Sequence, residues 1–406
     1  MATFDVSDVA DITTHNTSVS DVTSTLTSSS NGSFSNVTIT SSAGFECPAL
    51  SLEGLEFIPW DNPDNIVSAQ VEEITSRVAN AVILPLLFLI GGPGNVINMA
   101  VFYKQGLRER VNLCLFALSL ADWLYLVQAM LVYGEQMYLW LSNMGRYGPM
   151  AFFMGNNALV GLFGFTWVSQ IMSAIIASER CLCVMSPLRS QTILKTKTMA
   201  IIIGFVFAVV VGLYFIVGAR YAVVCVYDLA LGRTTFMLVA SEFYLNHETL
   251  VNYTNTFIYG AGIPVVVIVV VTVTTTITAR KIRQAARWRA QSSASDAVKT
   301  LSPRDVALTK MLIGTSLLFM VCVFPIALFR CVWLFLPEVN PGRRQHNLFL
   351  TSIWIVDALS FVNSTFNIFI YYTMGSRYRE TFWALFRKQT TDKKKQVFST
   401  TGVTKK

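Results

Sequence analysis

Residues 112–134 read NLCLFALSLADWLYLVQAMLVYG, an apolar run interrupted by one charged side chain, Asp122. A helix rises about 1.5 Å per residue, so a run of this length covers the roughly 30 Å of hydrocarbon in a bilayer. Six further blocks of the same character lie at 78–103, 149–183, 198–219, 254–279, 307–336 and 348–373, separated by polar, charged or glycine-containing stretches. The whole chain, 406 residues with 53% hydrophobic and 14% charged content, is too apolar for a water-soluble protein of this size. Backbone amides in hydrocarbon must be satisfied within their own segment, so even the Val/Ile/Thr-rich stretch 265–278 is expected to be helical despite its strand propensity. The expected fold class is an all-α membrane protein, a bundle of seven transmembrane helices.

Charge placement orients the bundle. No Lys or Arg precedes Arg77, whereas 104–110, 189–197, 280–310 and 377–406 hold nearly all the basic residues. The positive-inside rule then puts the amino terminus outside and the Lys393-Lys394-Lys395 tail in the cytoplasm of a multi-pass plasma-membrane protein. The net charge of +7 follows from this topology and from contact with anionic membrane lipids, and implies no nucleic-acid partner.

Four regions result. Residues 1–77 read as a disordered extracellular arm, rich in Ser, Thr, Asp and Val in its first 46 residues. Asn16, Asn31 and Asn36 each open an Asn-x-Ser/Thr sequon there, which makes the arm a glycosylation target, and Asn252 opens another in the second outer loop. Residues 78–373 form the seven-helix domain, 374–388 an amphipathic cytoplasmic helix, and 389–406 a disordered basic tail. No dinucleotide or phosphate-binding glycine pattern and no Cys/His cluster with metal-ligand spacing occurs, so no enzyme is expected.

Seven helices also suit a pump, a transporter or an intramembrane protease. Polar residues inside the spans discriminate, because an ionisable group in hydrocarbon is expensive and is a site candidate by default. A transport pathway wants several in-membrane acids or a duplicated hydropathy pattern, and only Asp122 and Asp357 lie well inside. Asp357 sits in Ile355-Val356-Asp357-Ala358, without the Gly-x-Gly-Asp context of an aspartyl protease.

An ordered set of motifs resembles the rhodopsin-like (family 1) G-protein-coupled receptors, most closely invertebrate peptide or chemosensory receptors. The set is Gly94-Asn95 in the first span, Leu118-Ser119-Leu120-Ala121-Asp122 in the second, Glu179-Arg180-Cys181 ending the third, and then Pro187-Leu188. Pro264 continues it in the fifth span, Phe319 with Cys322-Val323-Phe324-Pro325 in the sixth, and Asn367-Ile368-Phe369-Ile370-Tyr371 in the seventh. It covers about residues 78–388. Departures are equally specific: Cys181 for the motif tyrosine, Ile368 for a kinking proline, Val323 for the sixth-span tryptophan, and Thr272 where a fifth-span tyrosine is common.

The resemblance implies a receptor that binds an extracellular ligand and activates a heterotrimeric G protein, with arrestin and a receptor kinase as further partners. Coupling and switching would fall to Glu179, Arg180, Asp305, Phe319, Pro325, Asn367 and Tyr371, with Arg180 held by Glu179 and within reach of Asp305; the alternative for Arg180 is an interfacial cation that snorkels to the headgroups. Asp122, with Asn95, Ser169, Asn363, Ser364 and Asn367, makes an oxygen set suited to an allosteric sodium ion, or else a protonated acid in a helix-packing network. No other cofactor is implied. The amine-binding Asp is replaced by Leu162 and the retinal lysine is missing from 348–373, so ligand contacts would come from Tyr133, Glu135, Leu162, Phe163, Thr166, Arg330 and Asp357. These favour a peptide over a small chemosensory molecule, unless Arg330 and Asp357 simply pair with each other. The family's usual outer bridge lacks its third-span cysteine, which leaves Cys225 to pair with Cys47 or Cys331, or to stay free.

Overall fold

The computed structural model describes residues 38–40, 46–50, 63–142, 163–186, 189–190, 192, 194–228, 233–291, 303–340 and 343–387; within these, the side chains of 132–142, 221, 223–240, 288–291, 303–305 and the strands in 38–50 lie outside the description. Seven helices in it are long and apolar enough to cross a membrane. They are α1 (Ala69–Gln105), α2 (Arg110–Ser142), α3 (Gly164–Met185), α4 (Thr196–Gly218), α5 (Glu248–Arg287), α6 (Pro303–Phe335) and α7 (His346–Met374). An eighth, α8, follows over residues 376–387 after a break at Gly375. The loops rich in Lys and Arg join the helices at one end, called the basic end below; the other is the arm end.

The bundle is built with its polarity inverted relative to a water-soluble protein. Ile201, Phe205, Val321 and Leu89 point outward and are each at least 66% exposed, while Asn95, Asp122, Ser169 and Asn367 are buried between helices. Only a hydrocarbon surround makes that arrangement favourable. The stretch 265–278 is helical throughout, as bilayer physics requires against its strand propensity.

Two wide, π-helical turns occur, over Ala79–Ile83 in α1 and Thr254–Gly262 in α5. Each ends two residues before a proline, Pro85 and Pro264. A proline ring offers no N–H and crowds the preceding turn, and a widened turn absorbs both effects. Close packing of α1 on α7 depends on small residues: a Cβ added at Gly91 would stand 2.4 Å from Thr365 Oγ1, and one at Gly94 would stand 3.3 Å from the Ile368 side chain. Ile368, standing in place of the kinking proline, is thus seated on the Gly94 backbone.

The arm is not wholly unstructured through residue 77. Its last part, Ala69–Val78, is a helix continuous with the first span, opened by Ser68, whose hydroxyl accepts from the Val71 amide at 3.4 Å. Farther out, β1 (Thr38–Thr40) and β2 (Glu46–Leu50) join the hairpin of β3 (Tyr221–Asp228) and β4 (Arg233–Ala240) in a sheet ordered β1-β2-β3-β4. The β-branched and aromatic residues of Tyr221–Asp228 and Arg233–Ala240 suit a hairpin once the chain has left the bilayer. The sequons at Asn16, Asn31 and Asn36 lie outside the described residues. Asn252 lies on the first turns of α5, where its side chain donates to Tyr244 Oη at 3.1 Å.

The sheet bears on the outer bridge. Cys331 is a free thiol, which removes one of the two pairings open to Cys225. β2 runs parallel to β3 with Ala49 opposite Tyr227 and Leu50 opposite Asp228, a register that would bring Cys47 opposite Cys225 if continued by two residues. Neighbouring strands stand about 4.8 Å apart, inside the Cα separation of about 4.4–6.8 Å that a disulfide needs. Mass spectrometry of the unreduced protein should therefore find Cys47 linked to Cys225, and Cys225→Ser should cost about 2–4 kcal/mol in thermal unfolding. Alkylation of Cys225 in correctly folded protein would exclude the bridge.

Candidate functional site

Three polar clusters lie along the bundle axis, and α3 contributes to each. The middle one centres on Asp122, fully buried on α2. Its Oδ1 accepts from Ser169 Oγ on α3 at 2.6 Å and from Ser364 Oγ on α7 at 2.9 Å, and its Oδ2 accepts from Asn367 Nδ2 at 3.0 Å. Asn95 does not bond Asp122 directly; its amide donates to the carbonyls of Gly91 at 3.0 Å and Ser364 at 2.9 Å, fixing α1 to α7. Asn363 is buried but does not hydrogen-bond Asp122, and instead lines a void of about 10 Å³ with Ser169, Ser364, Thr166 and Gln170. That volume admits one water or one small ion. No Lys, Arg or His pairs with Asp122 among the described residues.

From Asn95 the network continues toward the basic end. Asn98 donates to Asn95 Oδ1 at 3.4 Å and accepts from the Tyr378 hydroxyl of α8 at 2.6 Å. Burial pushes the Tyr378 phenol well above its ordinary pKa, so it remains a donor. α8 carries the rings of Phe382, Trp383 and Phe386, which suit a membrane surface. Arg377 adds an ion pair with Glu109 at 2.6 Å and a bond to the Gln105 carbonyl at 3.2 Å, tying α8 to the turn between α1 and α2.

At the basic end Glu179 is 3% exposed and carries two cations. Its Oε2 takes Arg180 Nε, and its Oε1 takes Arg110 Nε at 2.7 Å. Arg110 also donates to the carbonyls of Ser190 at 2.9 Å and Leu194 at 3.0 Å and approaches Cys183 Sγ at 3.0 Å. One guanidinium thus joins the start of α2, the end of α3 and the loop leading to α4. Sequence reading missed Arg110 because a basic residue just past a basic loop reads as a topology signal. Asp305 has its backbone in α6 but its side chain outside the description, so Arg180 is seen here with Glu179 as its partner.

The remaining switch candidates are packed into the core. Phe319 lies against Ala174, Ala177, Val267, Val271 and Val323, and Pro325 sits inside α6 without ending it. Tyr371 packs edge-on to Phe102 at 5.3 Å, and its buried hydroxyl has no hydrogen-bond partner. Thr272 donates to Met320 Sδ at 3.4 Å, linking α5 to α6.

Toward the arm end, Arg330 lies on α6 and Asp357 on α7. The Arg330 guanidinium stacks over two indoles, 4.9 Å from the Trp333 ring and 5.7 Å from Trp167. Trp333 is fixed in turn by Nε1 donating to Ser352 Oγ at 2.9 Å. Neither tryptophan was singled out from sequence, since an indole in an apolar span reads as packing. Arg330 Nε, Thr166 Oγ1, Gln170 Oε1 and Thr351 Oγ1 are buried without partners. Phe163 packs with Tyr125 and Phe361. Leu162 and the side chains of Tyr133 and Glu135 lie outside the description. A separate cavity of about 750 Å³ between α3, α4 and α5 is lined mostly by apolar side chains such as Ile171, Ile202 and Val266, with Ser178 and Glu179 also in its wall, and includes none of the expected ligand contacts.

The two arginines differ in what their loss exposes. Removing Arg180 leaves Glu179 paired with Arg110, whereas removing Arg110 frees two loop carbonyls and weakens a buried acid's shell. Arg110→Met should therefore destabilise the protein more than Arg180→Met, approaching the roughly 3–5 kcal/mol seen for a broken buried pair. Thermal unfolding of the two variants in lipid measures the difference; equal losses would contradict the shared-acid arrangement.

Residues 83–389 match the profile of a family described as serpentine type 7TM GPCR chemoreceptor Srw. No curated protein matches the chain in sequence.

Proposed function

The chain belongs to the Srw family of serpentine 7TM GPCR chemoreceptors, and on that premise we propose that it binds a small extracellular molecule near the arm end and activates a heterotrimeric G protein at the basic end. In this reading it lies in the plasma membrane with the amino-terminal arm outside. The chemoreceptor description favours a diffusible small molecule over the peptide that the sequence suggested.

One observation carries the coupling proposal: Glu179 holds Arg180 and Arg110 together. A buried acid stripped of its only cation would be costly. Here Arg180 can swing away toward a protein partner while Glu179 keeps Arg110, so release requires only the Arg180 bonds to break. Ligand binding would favour the released arrangement by its difference in affinity for the two states. The path between the ends is α3 itself, which carries Thr166 and Gln170 near the ligand region, Ser169 on Asp122, and Glu179-Arg180 at the basic end.

The middle cluster fits a sodium ion. Asp122, Ser169, Ser364, Asn363 and Asn367 would hold it beside the small void, and when bound it would neutralise a buried acid that has no cationic side chain against it. The residues themselves join α2, α3 and α7, so occupancy would favour the arrangement in which those helices are drawn together.

Arg180→Ala should reduce receptor-stimulated nucleotide exchange on the G protein at least about tenfold while surface level stays unchanged, because Glu179 remains paired. Exchange at the unaltered rate would remove Arg180 from coupling. For the ion, thermal stability in sodium chloride should exceed that in choline chloride for the unaltered protein and not for Asp122→Asn. The same salt response in both would return Asp122 to a packing role.

A further inference from the structure

We propose that the cavity between α3, α4 and α5 binds an anionic glycerophospholipid, with an acyl chain in the cavity and the headgroup at Lys195 and Lys197, where α4 begins. The inference rests on the chain's place in a membrane and not on its extracellular ligand or its coupling partner.

The cavity, at about 750 Å³, has the size of a small-molecule site, for which about 300–1,000 Å³ is usual. Phe257 and Val266 in its wall are more than half exposed, so it opens on the outer surface of the bundle, where the neighbours in a membrane are lipid chains. Packing leaves the gap. The Tyr259 hydroxyl pins α5 to α4 by donating to the Val210 carbonyl at 2.6 Å, and the part of α4 that lines the cavity, Leu194 to Ile202, lies wholly on the basic side of that pin. A void with apolar walls stays dry, so hydrocarbon is what fills it. On α3 the wall runs from Ile171 to Leu182, a length of about 16 Å, which matches one leaflet, half of the roughly 30 Å hydrocarbon core.

Charge selects the headgroup. Lys195 follows the lining residue Leu194, and Lys197 stands two residues before the lining residue Met199. Both lysines are exposed, and neither takes part in an ion pair among the described residues. No acidic residue occurs in the sequence between Glu179 and Asp228, and Glu179 is buried and holds Arg110 and Arg180. Arg108 adds an exposed cation beside the start of α4, its carbonyl accepting from the Thr196 hydroxyl at 2.7 Å, while Glu109 next to it is paired with Arg377. Cations gathered at the basic end of an apolar groove suit a phosphodiester whose chains lie in hydrocarbon. A sterol fills the groove and leaves those cations unmatched, and a zwitterionic lipid brings a cation of its own to them. The bound lipid would brace α3, α4 and α5 against one another.

The experiment compares two lipids on the full-length protein. Nanodiscs of phosphatidylcholine alone and of phosphatidylcholine with phosphatidylglycerol are tested by thermal unfolding, and by cross-linking from a diazirine on the acyl chain of either lipid. Phosphatidylglycerol should raise the unfolding temperature, and its label should fall on the lining residues of α3, α4 and α5. Lys195→Gln with Lys197→Gln should reduce the preference for phosphatidylglycerol at least about tenfold, since a lysine close to anionic lipid contributes a factor of about five. Val266→Trp, which fills the groove from an exposed position, should abolish labelling there. Arg283→Gln with Arg287→Gln, on the basic end of α5, should leave both readouts unchanged. Should Val266→Trp fail to fold, the label map of the unaltered protein together with the lysine variant decides the matter. The proposal is overturned by equal labelling from the two lipids, by labels away from the lining residues, or by a preference that survives loss of both lysines in folded protein. A preference lost equally with Arg283 and Arg287 would reduce it to general surface attraction, and a cholesterol probe that labels the groove ahead of phosphatidylglycerol would give the site to a sterol; either result also overturns it.

Discussion

A carboxylate in hydrocarbon must collect hydrogen bonds from whatever surrounds it, and Asp122 collects them from two other helices at once. Ser169 brings α3 and Ser364 with Asn367 brings α7, while Asn95 on α1 holds the carbonyl of the same Ser364. Helices in a membrane gain little from excluding water, because lipid tails are as apolar as leucine. The buried polar contacts therefore do much of the work of specifying which helix faces meet, and small residues such as Gly91 and Gly94 let the backbones come close enough to make them.

That arrangement explains how two ends of the bundle can be coupled without a continuous polar wire. α3 is one helix from Gly164 to Met185, and its polar residues recur at spacings that return to the bundle interior: Thr166, Ser169, Gln170 and then Glu179 with Arg180. A shift of α3 against α2 would change the Ser169–Asp122 bond and the Glu179–Arg110 pair together. The second cation on Glu179 matters because it makes release of Arg180 tolerable, in contrast to a simple pair whose opening would strand a buried acid. Tyr371, buried with an unused hydroxyl beside Phe102 and Tyr378, has a bonding capacity that the present arrangement leaves unspent.

The chain's departures from the rhodopsin-like pattern acquire physical content in the same terms. Ile368 fills the space against Gly94, and α7 continues as α-helix to Met374. Thr272 reaches Met320 across the α5–α6 seam instead of offering a phenol. α8 is held by Arg377 on Glu109 and by Tyr378 on Asn98.

The number of spans and the helical state of 265–278 were legible in the sequence, because both follow from the length and apolarity of local blocks and from the backbone's need for partners in a bilayer. The identity of Asp122, Ser169, Ser364 and Asn367 as one cluster was legible too, through motif order. Partnerships depending on which way a long side chain turns were not. Arg110 and Arg180 are both basic residues at a membrane boundary, and only the packed bundle decides that they share Glu179. Arg330 reads in the sequence as one charge in an apolar span, and only the packed bundle brings Trp167 from α3 and Trp333 from α6 against it. The same holds for the arm, whose β1 and β2 need the hairpin of the second outer loop to pair with. Strands have no local hydrogen bonds of their own, so a sequence window cannot announce them, whereas a helix in hydrocarbon satisfies itself and can be read block by block.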